Sequence, residues 1–213
     1  MAEPITTATE TLYRWASALR AVTNHESNPF SRAVETLSRV AEAMGSPIAI
    51  VGGLAGIHYR AMITTVDIDI VVLGDQLDVL LATAPEHGLA VKKRSAEGWH
   101  TLVYRDEEGE VAIEVVPEGR NSPRDPEQAP PIPTPQSLGV EQGLGFASFP
   151  GWVSMKLVAN RDKDRYHVVE ALKEASQPRI ADVVERLRGM PPEYLKEFTR
   201  LVRVAEQENQ KNW

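Results

Sequence analysis

Two aspartates, Asp67 and Asp69, flank one isoleucine at the head of the run Asp67-Ile68-Asp69-Ile70-Val71-Val72. In a strand, side chains two apart share a side, so both carboxylates project together and Ile68 points away. Carboxylates so placed repel one another, and a cation between them relieves the repulsion. Hard divalent ions, magnesium above all, take such oxygen ligands and keep positions open for phosphate oxygens. A third carboxylate, Glu114, sits inside Val111-Ala112-Ile113-Glu114-Val115-Val116. A charge within a central strand is costly unless it is paired or metal-bound. That sets Glu114 apart from Glu107 and Glu110 in the adjoining polar turn. Gly52-Gly53 follows another apolar run, Ile48-Ala49-Ile50-Val51. Glycines at a strand-to-helix turn let the backbone approach a phosphate, and the first N–H groups of the helix are free to donate. Together these residues suit a triphosphate at the glycines and metal on the carboxylates, with Glu114 completing a two-metal cluster. Singly, each has a plainer meaning: a solvated strand end, an ordinary turn, an edge-strand residue facing water.

The elements that must position these groups follow from apolar spacing. Leu12, Trp15, Leu19 and Val22 mark one helical face in residues 6–22, before a polar break at 24–29. A second helix is expected over 31–44, with Ser31 as N-cap, Val34, Leu37 and Val40 as its stripe, and Gly45 as its end. Residues 48–51 and 67–72 read as strands, 54–60 and 76–84 as helices, and 89–93 as a further strand. Residues 99–104 and 111–116 flank a polar turn containing Gly109, which predicts an antiparallel hairpin. Residues 117–135 hold seven of the fifteen prolines and are expected to form an exposed loop. From Pro150 onward the pattern is helical. The expected fold is α+β: a mixed β-sheet flanked by helices, with an N-terminal helical extension at 1–30, an α/β core at 31–149 and a helical region at 150–213.

Composition limits the alternatives. The chain has 213 residues, 42% hydrophobic, which suits one core with a helical extension. It has no cysteine, which excludes a disulfide scaffold, a thiolate metal site and a cysteine nucleophile. The net charge of −7 argues against non-specific nucleic-acid coating. No apolar run is long enough to span a membrane and no secretory signal is evident, so cytoplasmic residence is the expectation. The five histidines lack metal-site spacing such as H-E-x-x-H, and neither G-x-S-x-G nor a P-loop motif occurs. His58 and His100 are expected to be packed or solvated. Lys92-Lys93-Arg94 reads as a solvated strand end, with RNA contact as its alternative.

Residues 48–72, IAIVGGLAGIHYRAMITTVDIDIVV, resemble the opening signature of the nucleotidyltransferase fold of the DNA polymerase beta superfamily. The chain is similar to small bacterial proteins related to AbiEii-type toxins. Gly52, Gly53, Thr65, Asp67 and Asp69 match that signature. Residues 152–172, WVSMKLVANRDKDRYHVVEAL, also resemble the family, in which a helix carries a lysine and an Arg-x-Lys-Asp turn follows. Lys156, Arg161, Lys163 and Asp164 match. Three positions depart from it: Ile63 where many relatives have arginine, Glu114 where aspartate is usual, and His167 where another aspartate is frequent.

The resemblance implies a magnesium-dependent nucleotidyltransferase, with manganese as a substitute ion. It would move a nucleoside monophosphate from an NTP to an acceptor such as tRNA, a protein or a small molecule. Asp67, Asp69 and Glu114 would be catalytic and metal-binding; Gly52, Gly53, Thr65 and Lys156 would bind the nucleotide. Lys156 reads alternatively as a lysine snorkelling on a helix surface, and Arg161-x-Lys163-Asp164 as a structural ion-pair turn. A toxin-like role with a cognate antitoxin or neighbour protein as partner is also implied. The alternative is a degenerate copy of the fold that binds a nucleotide or a partner without chemistry.

Overall fold

The computed structural model describes residues 28–62, 65–93, 99–121 and 129–211. The expected helix over 6–22, Ile63, Arg94 and Trp213 lie outside the described residues.

Helix α1 spans Pro29–Met44. Its N-cap is Asn28, three residues before the expected Ser31. Asn28 Oδ1 accepts from the Ser31 N–H at 2.9 Å, and Ser31 Oγ accepts from the Asn28 N–H at 3.0 Å. This reciprocal pair satisfies two otherwise orphaned donors. Pro29 fits the first helical position, where no N–H is needed. The helix therefore starts earlier than its apolar stripe. Gly45 ends it with φ 62°, as expected. Ala33, Leu37, Val40 and Ala41 form its buried face.

The remaining elements are β1 (Ile48–Val51), α2 (Gly52–His58), β2 (Asp67–Val72), α3 (Leu77–Glu86), β3 (Leu89–Lys93), β4 (His100–Arg105), β5 (Glu110–Pro117) and β6 (Leu144–Phe146). Four helices follow: α4 (Phe149–Ala159), α5 (Asp162–Lys173), α6 (Gln177–Arg188) and α7 (Pro192–Lys211). One mixed sheet has the order β3-β4-β5-β2-β1-β6. The fold is α+β, a six-stranded mixed sheet flanked by helices, in agreement with the sequence. β1 runs antiparallel to β2 and parallel to β6, and β5 runs parallel to β2 and antiparallel to β4.

Alternation along the strands separates the two faces of the sheet. In β5, Val111, Ile113 and Val115 are buried, while Ala112, Glu114 and Val116 between them are not. Ile68, Ile113 and Leu102 join Leu37 of α1 and Leu80 of α3 in a single core. Helix α2 packs on β1 and β2 and against α4, and α4 packs against α5, α6 and α7. Among the described residues, no helix is long and apolar enough to cross a membrane.

The start of α1 is tied to the β4–β5 turn. Arg32 Nε donates to Asp106 Oδ2 at 2.7 Å, and Nη2 donates to Glu108 at 3.0 Å. The hydrogen bond from Arg32 outweighs desolvation and holds the Asp106 carboxyl at about 2, below its ordinary 3.8. A depressed folded pKa stabilises above the unfolded value, and that contribution is lost as pH falls through the folded one. Arg32→Gln is therefore expected to be less stable than wild type at pH 7. The gap should close between about pH 4 and pH 2, as read by urea unfolding at each pH.

Candidate active site

The site forms where β1 ends and β2 begins. Antiparallel pairing sets Val51 opposite Asp69, so the chain leaving β1 at Gly52 passes beside the Asp69 carboxylate. The approach is close: a Cβ on Gly52 would lie 1.7 Å from Asp69 Oδ2. Gly52 also has φ +61°, a conformation side chains rarely adopt. The Gly53 N–H faces the Asp69 carboxylate and favours its charged form. Helix α2 thus begins at Gly52, two residues before the sequence expectation.

Asp67 and Asp69 project from one side of β2, as i,i+2 residues must. Thr65 Oγ1 lies 3.1 Å from Asp67 Oδ1 and 3.2 Å from the Asp67 carbonyl oxygen. It also fills the space beside Gly53, where a Cβ would come within 2.3 Å of it. Parallel pairing of β2 with β5 puts Glu114 directly across from Asp69. In-register residues on neighbouring strands share a face, so the three carboxylates occupy one side of the sheet. On the next strand Thr101 pairs with Glu114, its hydroxyl 3.3 and 3.4 Å from the two carboxylate oxygens.

Burial raises the pKa of Asp69, and the charge of Asp67 raises it further. Lys156 and the Gly53 N–H act in the opposite direction, and Glu114 adds a smaller push upward. Asp69 is therefore a largely buried carboxylate beside a second one, Asp67. The donors on this face are all carboxylate oxygens, the type of ligand a hard divalent ion prefers. Among the described residues, however, no group of three or more His, Cys, Asp or Glu side chains is placed so that it could hold a metal ion. Like charges spread apart unless a cation draws them in.

Lys156 does not snorkel at a surface. It is 7% exposed and donates to Asp164 Oδ1 at 3.0 Å. Asp164 is fully buried and also accepts from Arg161, through Nε to Oδ2 and through Nη2 to Oδ1 at 3.0 Å. The Arg161–Asp164 turn is thus an ion pair, and Lys156 joins it. Lys163 of the same motif is exposed. His167 is partly buried, and its Nδ1 has no hydrogen-bond partner among the described residues. His58 is exposed and stacks on Phe146 with ring centroids 4.6 Å apart, within the expectation of a packed or solvated side chain.

Two contributors carried no signal of their own in the sequence. Trp152, fully buried, donates Nε1–H to the Gly52 carbonyl at 3.0 Å and so fastens α4 to the glycine turn. Only its four-residue spacing from Lys156, which places both on one helix face, hinted at a shared task. Thr101 was legible in principle. A hairpin that pairs Arg105 with Glu110 necessarily pairs Thr101 with Glu114.

No family model matches the chain, and no curated protein matches it. Similar solved structures include the crystal structure of ANT(2″)-Ia in complex with adenylyl-2″-tobramycin. It shares 13% identity at a TM-score of 0.39, covering 83% of this chain and 97% of that one. A solution structure of the antibiotic-resistance factor ANT(2″)-Ia gives 13% identity and a TM-score of 0.37, with 84% and 94% covered. The Thermotoga maritima CCA-adding enzyme complexed with tRNA gives 14% and 0.36, covering 86% of this chain and 53% of that one.

Proposed function

We propose that this chain is a divalent-metal-dependent nucleotidyltransferase, moving a nucleoside monophosphate from an NTP to an acceptor hydroxyl. The observation that carries this reading is the cross-strand pairing of Asp69 with Glu114, with Asp67 on the same face and Gly52-Gly53 opening a helix beside them. Asp67 and Asp69 would hold the ion that accompanies the triphosphate, and Glu114 would ligate on the acceptor side. A divalent ion in that place screens phosphate charge and lowers the pKa of an attacking hydroxyl. The Gly52-Gly53 turn lets Asp69 and Thr65 pack where side chains would otherwise stand, and the start of α2 beside them would face the phosphate oxygens. Lys156 and Arg161 would add positive charge beside the polyphosphate. In the overall step the acceptor oxygen bonds to the α-phosphorus, the α–β bridging P–O bond breaks, pyrophosphate leaves and the hydroxyl proton passes to water. Catalysis of this type rests mainly on positioning and charge neutralisation. The acceptor fits tRNA, a protein or a small molecule equally well on these residues, and a toxin-like role rests on the resemblance of residues 48–72 and 152–172 alone.

One observation favours a second reading, a nucleotide-binding copy of the fold without chemistry. Glu114 is engaged by Thr101 and is one methylene longer than the aspartate its relatives carry. Incubation with each labelled NTP, magnesium or manganese, and total tRNA or cell lysate separates the two. Transfer of label by wild type, absent in Asp67→Asn/Asp69→Asn, is the expected result. Binding of nucleotide without transfer selects the second reading. Identical nucleotide binding by wild type and the double variant defeats the assignment of the site to Asp67 and Asp69.

A further inference from the structure

Asp164 is the one fully buried carboxylate among the described residues, and it carries two cations. A chain of contacts links it to the acidic face. Asp69 packs on Gly52, the Gly52 carbonyl accepts from Trp152, and Lys156 lies one turn further along α4 with Nζ 5.8 Å from the Trp152 ring. Lys156 then donates to Asp164, which also grips Arg161. The positive field of Lys156 reaches Asp69, and Asp67 and Asp69 both act on Arg161.

A lysine and an arginine next to two or three carboxylates would ordinarily pair with them directly. Such pairing would fill the site with the protein's own cations and leave no place for a metal. A third anion behind the cations changes the balance, because opposite charges at contact distance dominate over those further away.

We infer that Asp164 is a positioning residue that draws Lys156 and Arg161 back onto itself, keeping the Asp67–Asp69 pair open and anionic enough to take a divalent ion. This rests on the nucleotidyltransferase reading of that face and deepens it. The two cations stay beside the site, available to a polyphosphate, without quenching it. Asp164 does not touch the substrate; it acts through Lys156 and Arg161.

The test uses the full chain and free Mn²⁺, followed by electron paramagnetic resonance, with melting and circular dichroism as folding controls. Asp164→Asn should weaken Mn²⁺ binding about tenfold, as the released cations turn toward Asp67 and Asp69. Lys156→Met/Asp164→Asn leaves Arg161 released and should still bind weakly, whereas Lys156→Met/Arg161→Gln/Asp164→Asn removes both competing cations together with their anchor and should bind within about threefold of wild type. If Asp164→Asn does not fold, these two variants decide: recovery of affinity in the triple variant over the double supports the inference, and equal affinity of the two overturns it. Unchanged affinity in a folded Asp164→Asn also overturns it, since a merely structural carboxylate would alter melting and leave metal uptake alone. Absence of Mn²⁺ binding by wild type would instead defeat the underlying metal-site reading.

Discussion

Asp69→Asn is expected to raise the stability of the metal-free chain while removing its divalent-ion binding. Burial raises the pKa of this carboxylate, with Asp67 and Glu114 raising it further, so the ionised form is penalised in the folded state. A raised folded pKa contributes stability that is present below the unfolded value and is lost as pH rises through the folded one. At neutral pH the penalty is therefore in force, and an uncharged asparagine relieves it. Asparagine keeps an oxygen that can accept the Gly53 N–H. The gain should be read as a higher melting temperature of the metal-free variant. The advantage should shrink as pH falls toward the ordinary aspartate value of 3.8, where wild type is also protonated. Metal binding should fall at least about a hundredfold, since one of the three proposed anionic ligands would be gone. A variant less stable than wild type without metal at pH 7 would show that Asp69 is not held against repulsion.

Gly52→Ala is expected to have the opposite effect on stability. Its φ of +61° costs an alanine about 1–2 kcal/mol. The new Cβ would also stand 1.7 Å from Asp69 Oδ2, so the carboxylate or the turn must shift. Forced repacking of this kind adds about 1–3 kcal/mol. Gly88 supplies an internal control, with φ +88° and nothing within 4 Å of its Cβ position. Gly88→Ala should show the backbone cost alone. The excess in Gly52→Ala should vanish in an Asp69→Gly background, the coupling a double-mutant cycle measures. Urea unfolding of the four variants and wild type checks this, and equal losses for the two alanine variants would mean that the Asp69 contact is not tight.

Much of the sheet was legible because its strands are bounded sharply. β1 lies between Pro47 and Gly52, β2 begins at its first aspartate, and both have the residue ranges that their β-branched runs predict. The α1 start was misplaced because the capping box uses Asn28 with Ser31 as its reciprocal partner, and a proline at the first helical position hides the boundary from an apolar stripe. β6 escaped because Leu144-Gly145-Phe146 is only three residues long and exists through parallel pairing with β1, nearly a hundred positions away. Local pattern carries no trace of such a pairing. The carboxylates of β2 declared themselves by period, and Glu114 by its place in an apolar run. Its alignment with Asp69 needed the parallel register of β2 and β5, which no spacing along the chain specifies. Lys156 was singled out, but its pairing with Asp164 was not, for a related reason. A lysine on a helix reads as surface until a buried anion, here Asp164, is found beneath it.

The central claim is that three carboxylates on one face of the sheet take up a hard divalent ion next to the glycine turn. The most direct measurement is a crystal structure of the chain grown with Mn²⁺ and a non-hydrolysable NTP, with the ion located by anomalous scattering. The account predicts Mn²⁺ within coordinating distance, about 2.0–2.3 Å, of oxygens from Asp67 and Asp69, a second ion or water network reaching Glu114, and phosphate oxygens against the Gly52-Gly53 turn. Nucleotide bound elsewhere, or a face left without metal while Lys156 or Arg161 pairs with Asp69, would contradict it.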